Sequence, residues 1–154
     1  MSAADPARDL AQRVVDAMMA KDAFSQWLRI KVLDVRACSA TVSMRVREEM
    51  VNGFGVSHGG IVYSLADSAL AFASNTHGRV TVSIENSITY PQPVHVGDEL
   101  IAVAEEESAS NRLGYYRVTV RRQDGVIVAL FRGTVYKTKT DFFTRDGAGS
   151  RGSE

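Results

Sequence analysis

The sequence predicts an α+β domain in which one antiparallel sheet wraps a single long helix. Two observations carry this. The stretch from 51 to 78, VNGFGVSHGGIVYSLADSALAFASNTHG, holds the longest uninterrupted helical pattern of the chain. Around it fall β-rich segments separated by turn residues, two before the helix and four after it. The 154-residue length bounds the answer to one domain, large enough to bury a real core.

Taken in order, residues 6–19 form an amphipathic helix with Leu10, Val14, Val15 and Met18 on one side. Phe24, Trp27, Leu28 and Ile30 follow as a short apolar connector that lines the core or a pocket, with Trp27 read as packing. Residues 32–36 and 40–46 read as strands. The second alternates cleanly, Ala40, Val42, Met44 and Val46 against Thr41, Ser43 and Arg45. After the central helix, 80–90 is a strand ended by Pro91, Gln92 and Pro93. Strands over 99–106, 115–122 and 126–137 complete a set of five to six, the last two joined by a hairpin turn at Gln123, Asp124 and Gly125. The expected order is a meander with the helix inserted after the second strand. Residues 1–140 make up the domain, and 141–154, rich in Gly, Ser and charge, read as a disordered tail.

In the central helix, Ile61, Val62, Leu65, Ala66, Ala69, Phe72 and Ala73 recur at the spacing of one apolar face. Ser57 is the expected N-cap and Gly78 the expected stop. Two features exceed what packing asks. Gly59 and Gly60 set the poorest ordinary helix former twice in the first turn, at about 1 kcal/mol each relative to alanine. That turn carries free backbone N–H groups at the positive end of the helix dipole, and bare glycines let a carbonyl or oxyanion approach them. The second feature is Asp67, a mid-helix carboxylate flanked by Leu65, Ala66, Ala69 and Leu70. Eight residues of helix put Gly59 and Asp67 about 12 Å apart, too far for one copy to complete a site. The spacing therefore predicts that Asp67 of one subunit faces the Gly59 turn of another, in a dimer at least.

Composition narrows the function classes. Eighteen basic residues balance eighteen acidic ones, so no global field points to nucleic acid. A single cysteine, Cys38, excludes an internal disulfide and suits a reducing cytoplasm. No apolar run approaches the ~20 residues of a membrane span, and the first residues lack a signal pattern, so the expected setting is soluble and cytoplasmic. One cysteine and three scattered histidines, with His77 and His95 read as surface residues, give no metal-ligand spacing and no metal is expected.

The run Asn52, Gly53, His58, Gly59, Gly60, Ser64, Leu65, Ala66, Asp67, continued by Ala69, Ala71, Ala73 and Asn75, resembles the hot-dog-fold acyl-CoA thioesterases, in particular their phenylacetate-pathway (PaaI-type) branch. A second match is Ala129, Leu130, Phe131, Arg132 and Gly133. The resemblance implies a sheet wrapped on a helix, subunits joined edge to edge, and a homodimer that commonly pairs into a tetramer. It implies that the Gly59 N–H polarises a thioester carbonyl, with Gly60 beside the acyl-CoA. Asp67 of the neighbouring subunit would be nucleophile or general base, Asn52 and His58 would position the thioester or structure the turn, and Ser83 would orient water. No cofactor is implied. Basic residues should meet the coenzyme A phosphates, with Arg112, Arg121, Arg122, Lys137 and Lys139 as candidates.

Tyr63, Leu70 and Phe24 are candidates to contact an aryl or medium-size acyl group. A dehydratase of the same fold needs a histidine paired with the acid, and the five residues after Asp67 are Ser, Ala, Leu, Ala and Phe. The rival reading is a non-catalytic acyl-CoA sensor, for which the residues before the first strand are too few to build a helix-turn-helix output module.

Overall fold

The computed structural model describes residues 5–143. Helix α1 spans Pro6–Lys21 and the short α2 spans Ala23–Trp27. Strands β1 (Lys31–Arg36) and β2 (Ser39–Arg45) lead through a 3-10 turn to the central α3, Gly59–Asn75. Strands β3 (Arg79–Thr89), β4 (Glu99–Ala109), β5 (Leu113–Arg122) and β6 (Ile127–Asp141) follow.

All six strands form one antiparallel sheet in the order β1-β2-β4-β5-β6-β3. The meander expectation fails at β3. That strand does not turn back on β4 but lies at the sheet edge against β6, with Ser83 opposite Val135 and Asn86 opposite Gly133. The cause is legible once seen: Pro91 and Pro93 block a hairpin, and the segment behind β3 crosses over to start β4 beside β2. Strand β6 is also longer than predicted. It reaches Asp141, where the predicted tail begins. The Phe142 N–H then donates to Gly78 O at 2.7 Å, and residues 144–154 lie outside the described residues.

The inner sheet face meets α3. Leu100, Ala102 and Ala104 of β4, Tyr116, Val118 and Val120 of β5, and Phe131 and Val135 of β6 are all buried. From α3, Val62, Leu65, Ala66, Ala69, Leu70, Phe72 and Ala73 close the core. Full burial of each large side chain here stabilises by roughly 1.5–3 kcal/mol, and the alanines between them bring helix and sheet close together.

Histidine, not serine, caps α3. His58 is extended (φ −60°, ψ 134°) and its Nδ1 accepts from Gly60 N–H at 2.9 Å, whereas Ser57 is buried beneath the turn. At the other end Asn75 is 3% exposed and ties helix to strand. Its Nδ2 donates to Ala71 O and Thr81 O, and its Oδ1 accepts from Thr81 N–H at 2.9 Å. Of the predicted connector, Leu28 and Ile30 are buried, while Phe24 and Trp27 are about half exposed and stack on each other at 6.0 Å.

Candidate active site

The turn ahead of α3 builds itself. Asn52 Oδ1 accepts from Phe54 N–H at 2.9 Å, and the Asn52 N–H donates to Val56 O at 2.8 Å. The bridge between Val51 and Ser57 then clamps the loop shut. Both Asn52 and His58 therefore structure the turn through bonds inside it. The two glycines have a concrete local reason as well. A Cβ on Gly60 would stand 3.0 Å from His58 Nδ1, and one on Gly59 would stand 3.2 Å from the Tyr90 hydroxyl, which donates to Gly59 O at 2.8 Å. With the Gly60 N–H taken up by His58, the Gly59 N–H is the one in this turn with no acceptor among the described residues. It stands at the positive end of α3. The turn stands between two grooves. One, of about 290 Å³, is lined by Val56, Val62, Tyr90, Pro93 and Val94; the other, of about 380 Å³, by Phe24, Trp27, Met50, Gly60 and Ile61.

Asp67 lies two turns further along α3, partly buried beside β3. Burial pushes its carboxyl above the usual carboxylate range, and one hydrogen bond, from Asn86 Nδ2 at 3.1 Å, pulls the other way. No lysine, arginine or histidine pairs with it among the described residues. Ser83 stands one step away. Its Oγ donates to Asn86 Oδ1 at 2.8 Å, so it reaches Asp67 through Asn86. Tyr63, one turn before Asp67, accepts from the same Asn86 Nδ2 at 2.9 Å and packs edge-on against Phe131.

Within one chain the structure thus gathers Asp67, Tyr63, Ser83 and Asn86 in one cluster, and Asn52, His58, Gly59 and Gly60 in another. Asn86 and Tyr90 are the residues that the sequence reading missed. Both lie on or just past β3, and only strand register against β6 and α3 reveals them. His77, read as a surface residue, is half-buried; burial and the nearby Lys137 and Arg79 hold its pKa down.

Of the basic residues considered for phosphates, Lys137 and Arg112 are backbone-bonded neighbours, and three side chains are engaged locally rather than converging. Arg121 donates to Gly125 O and Arg122 pairs with Asp124, while Lys137 donates to Ser110 O beyond the far end of α3. Those that do converge are Arg29, Lys31, Arg45 and Arg47, around a cavity of about 280 Å³. Arg47 is anchored there by Glu49, by the Trp27 and Leu28 carbonyls, and over the Trp27 ring. Among the described residues no group of three His, Cys, Asp or Glu could hold a metal ion, and no helix is long and apolar enough to cross a membrane.

Residues 54–129 match the family model of the thioesterase superfamily. The acyl-coenzyme A thioesterase PaaI of Escherichia coli is 35% identical over 79% of this chain and 86% of its own length. The chain belongs to the thioesterase superfamily. The solved structure of the E. coli PaaI protein from the phenylacetic acid degradation operon superposes with a TM-score of 0.85 at 32% identity, covering 87% of this chain and 97% of that one. A mutant structure of the phenylacetic acid degradation protein PaaI from Thermus thermophilus gives 0.73 at 40% identity, over 76% of this chain and 100% of that one. The fold is the hot-dog fold, and the class of chemistry is thioester hydrolysis.

Proposed function

We propose that this protein hydrolyses an aryl-acetyl or medium-size acyl-CoA to the free acid and coenzyme A. The observation that carries the reading is Asp67: a partly desolvated carboxylate kept on the central helix with a neutral amide as its partner and no cation among the described residues. Such a group weakens the fold when ionised, and it is suited to take a proton from water or to attack a carbonyl. The Gly59 N–H supplies the complementary half, a donor at the positive end of a helix aimed at a developing oxyanion. A thioester carbonyl is weakly stabilised by resonance, so polarisation and a placed carboxylate suffice without a serine nucleophile or a metal.

The two halves meet across a subunit boundary. Strand β3 ends the sheet with one edge unpaired, and its exposed face carries Val82 and Ile84 at 47% and 58% exposure. Edge-to-edge joining at β3 brings a second copy beside Asp67 and Tyr63, which lie next to that strand. Dimers of this kind can pair further into tetramers. The relatives named for phenylacetic acid degradation support the arylacetyl class, and the lone Cys38 supports a reducing, cytoplasmic setting.

The test is release of free coenzyme A from a panel of acyl-CoAs by wild type and Asp67→Asn. The reading requires turnover by wild type and a loss of about 10²–10⁴-fold in the variant with its oligomeric state intact. Equal rates in both would remove Asp67 from the chemistry. Binding of acyl-CoA without turnover by either would make the protein a sensor.

A further inference from the structure

Asn86 is the residue through which the sheet reaches Asp67. It stands on β3 in register with Gly133 of β6. A Cβ at 133 would lie 2.8 Å from Asn86 Oδ1 and would also collide with Leu70, so the bare backbone there leaves the space that the amide occupies. On α3, Tyr63 and Asp67 are one turn apart on the same face. The Asn86 NH2 has two hydrogens and two acceptors: Tyr63 Oη at 2.9 Å and Asp67 Oδ1 at 3.1 Å. Its carbonyl oxygen accepts from Ser83 Oγ at 2.8 Å. The Asp67 carboxylate, which only accepts, decides the orientation, and the Ser83 hydroxyl adds a third bond to the amide so placed. A flipped amide would turn its oxygen on the Asp67 carboxylate, exchanging an attraction for a repulsion, while the Ser83 hydroxyl can serve either orientation.

We propose that Asn86 is the positioning residue for Asp67, aiming the carboxylate at the substrate through its NH2, with Ser83 holding the amide from its other side. The inference rests on the reading of Asp67 as the group that acts on the thioester. The surroundings leave little else to do the work. From α3, Tyr63 shares the Asn86 amide with Asp67 while Ser64 bonds to Gly60 O and Ser68 to Ser25, and from β3 the polar group is Asn86. From β6 Gly133 offers no side chain, while Glu85, Ser87 and Arg132 line a cavity on the other face of the sheet with Glu107 and Tyr115. Burial displaces the Asp67 carboxyl upward and the Asn86 bond pulls it down. Removing Asn86 therefore moves the ionisation of Asp67 to higher pH.

The experiment is kcat and KM against pH for wild type, Asn86→Ala, Ser83→Ala and Asp67→Asn, with phenylacetyl-CoA as the probe. Asn86→Ala is expected to lower kcat at neutral pH by between about tenfold and 100-fold, with KM little changed. The acid limb should move to higher pH, so that part of the loss returns on the alkaline side. Ser83→Ala should shift the limb in the same direction by less, because the amide then keeps its two NH2 bonds but loses the one that steadies its oxygen. A loss confined to KM, or an acid limb that stays in place in Asn86→Ala, overturns the proposal. Where Asn86→Ala does not fold by circular dichroism, Ser83→Ala decides: it removes an exposed hydroxyl and leaves no cavity, and an unchanged profile overturns the proposal. Full turnover by Asp67→Asn defeats the reading of the site itself, and the Asn86 role falls with it. A dead Asp67→Asn with an unmoved limb in the other two defeats the Asn86 role alone.

Discussion

A carboxylate taken partly out of water and held by a neutral amide destabilises its fold whenever it is ionised, and Asp67 is in that position. Its folded pKa lies above the unfolded value, so its contribution to folding is most favourable below the unfolded pKa and declines as pH rises through the folded one. Asp67→Asn removes the ionisation with little change of shape. The variant should therefore melt at a higher temperature than wild type at neutral and alkaline pH, with the gap closing as pH falls towards about 4. Calorimetry across that range checks it, and equal melting curves at neutral pH would show that the carboxylate is well solvated. Activity runs the other way. Acting on the thioester as proposed, as base or nucleophile, Asp67 must be ionised, so turnover should fall on acidification through a pKa above the usual carboxylate range. At this scale the sequence was half legible: Asp67 stood out because a charge interrupts an apolar helix face, and Gly59 because glycine is a poor helix former. Tyr90 and Asn86 did not, since an aromatic and an amide in a β-rich segment carry no periodic signature, and their partners sit 31 and 19 residues away.

Helix α3 is placed by its two ends, and each end makes a separate stability prediction. Asn75→Ala would strip Thr81 N–H and Thr81 O of a partner in a buried setting, at about 1–3 kcal/mol by denaturant unfolding. A change below ~0.5 kcal/mol would mean that water replaces the amide there. At the other end, His58→Ala removes the acceptor for the Gly60 N–H and should destabilise by about 1 kcal/mol, with His58→Asn restoring most of it. The same substitution probes function, because a cap that no longer holds Gly60 also loosens the donor at Gly59. Helix, sheet class and most strand positions could be read from periods of 3.6 and two. Ser57 was preferred as the cap on residue type, but its side chain is buried under the turn and the cap falls to the next residue. The position of β3 was not legible. Proline at 91 and 93 signals the end of a strand, and only the pairing of Ile88 with Phe131 and Ser83 with Val135 tells where that strand goes.

For the whole molecule the central claim is that a working site takes Gly59 from one copy of the chain and Asp67 from another. The claim rests on spacing along α3, because two helical turns are too long a reach for one carboxylate and one water. The edge position of β3 gives the claim a physical route. The direct measurement is complementation between two inactive variants. Gly59→Pro removes the donor N–H at the first helical position; its ring crowds the Tyr90 hydroxyl, but His58 already has the extended backbone that a following proline asks for, and in the mixed dimer this chain has only to supply Asp67. Asp67→Asn removes the carboxylate. Unfolded together and refolded as a mixture, half of the dimers should be mixed, each with one intact site, restoring about a quarter of wild-type turnover per chain. That recovery, absent when the two proteins are combined without subunit exchange, is the predicted result. A refolded mixture as inactive as its parents, with mixed dimers shown to be present, would place Gly59 and Asp67 of the same chain in one site and contradict the account.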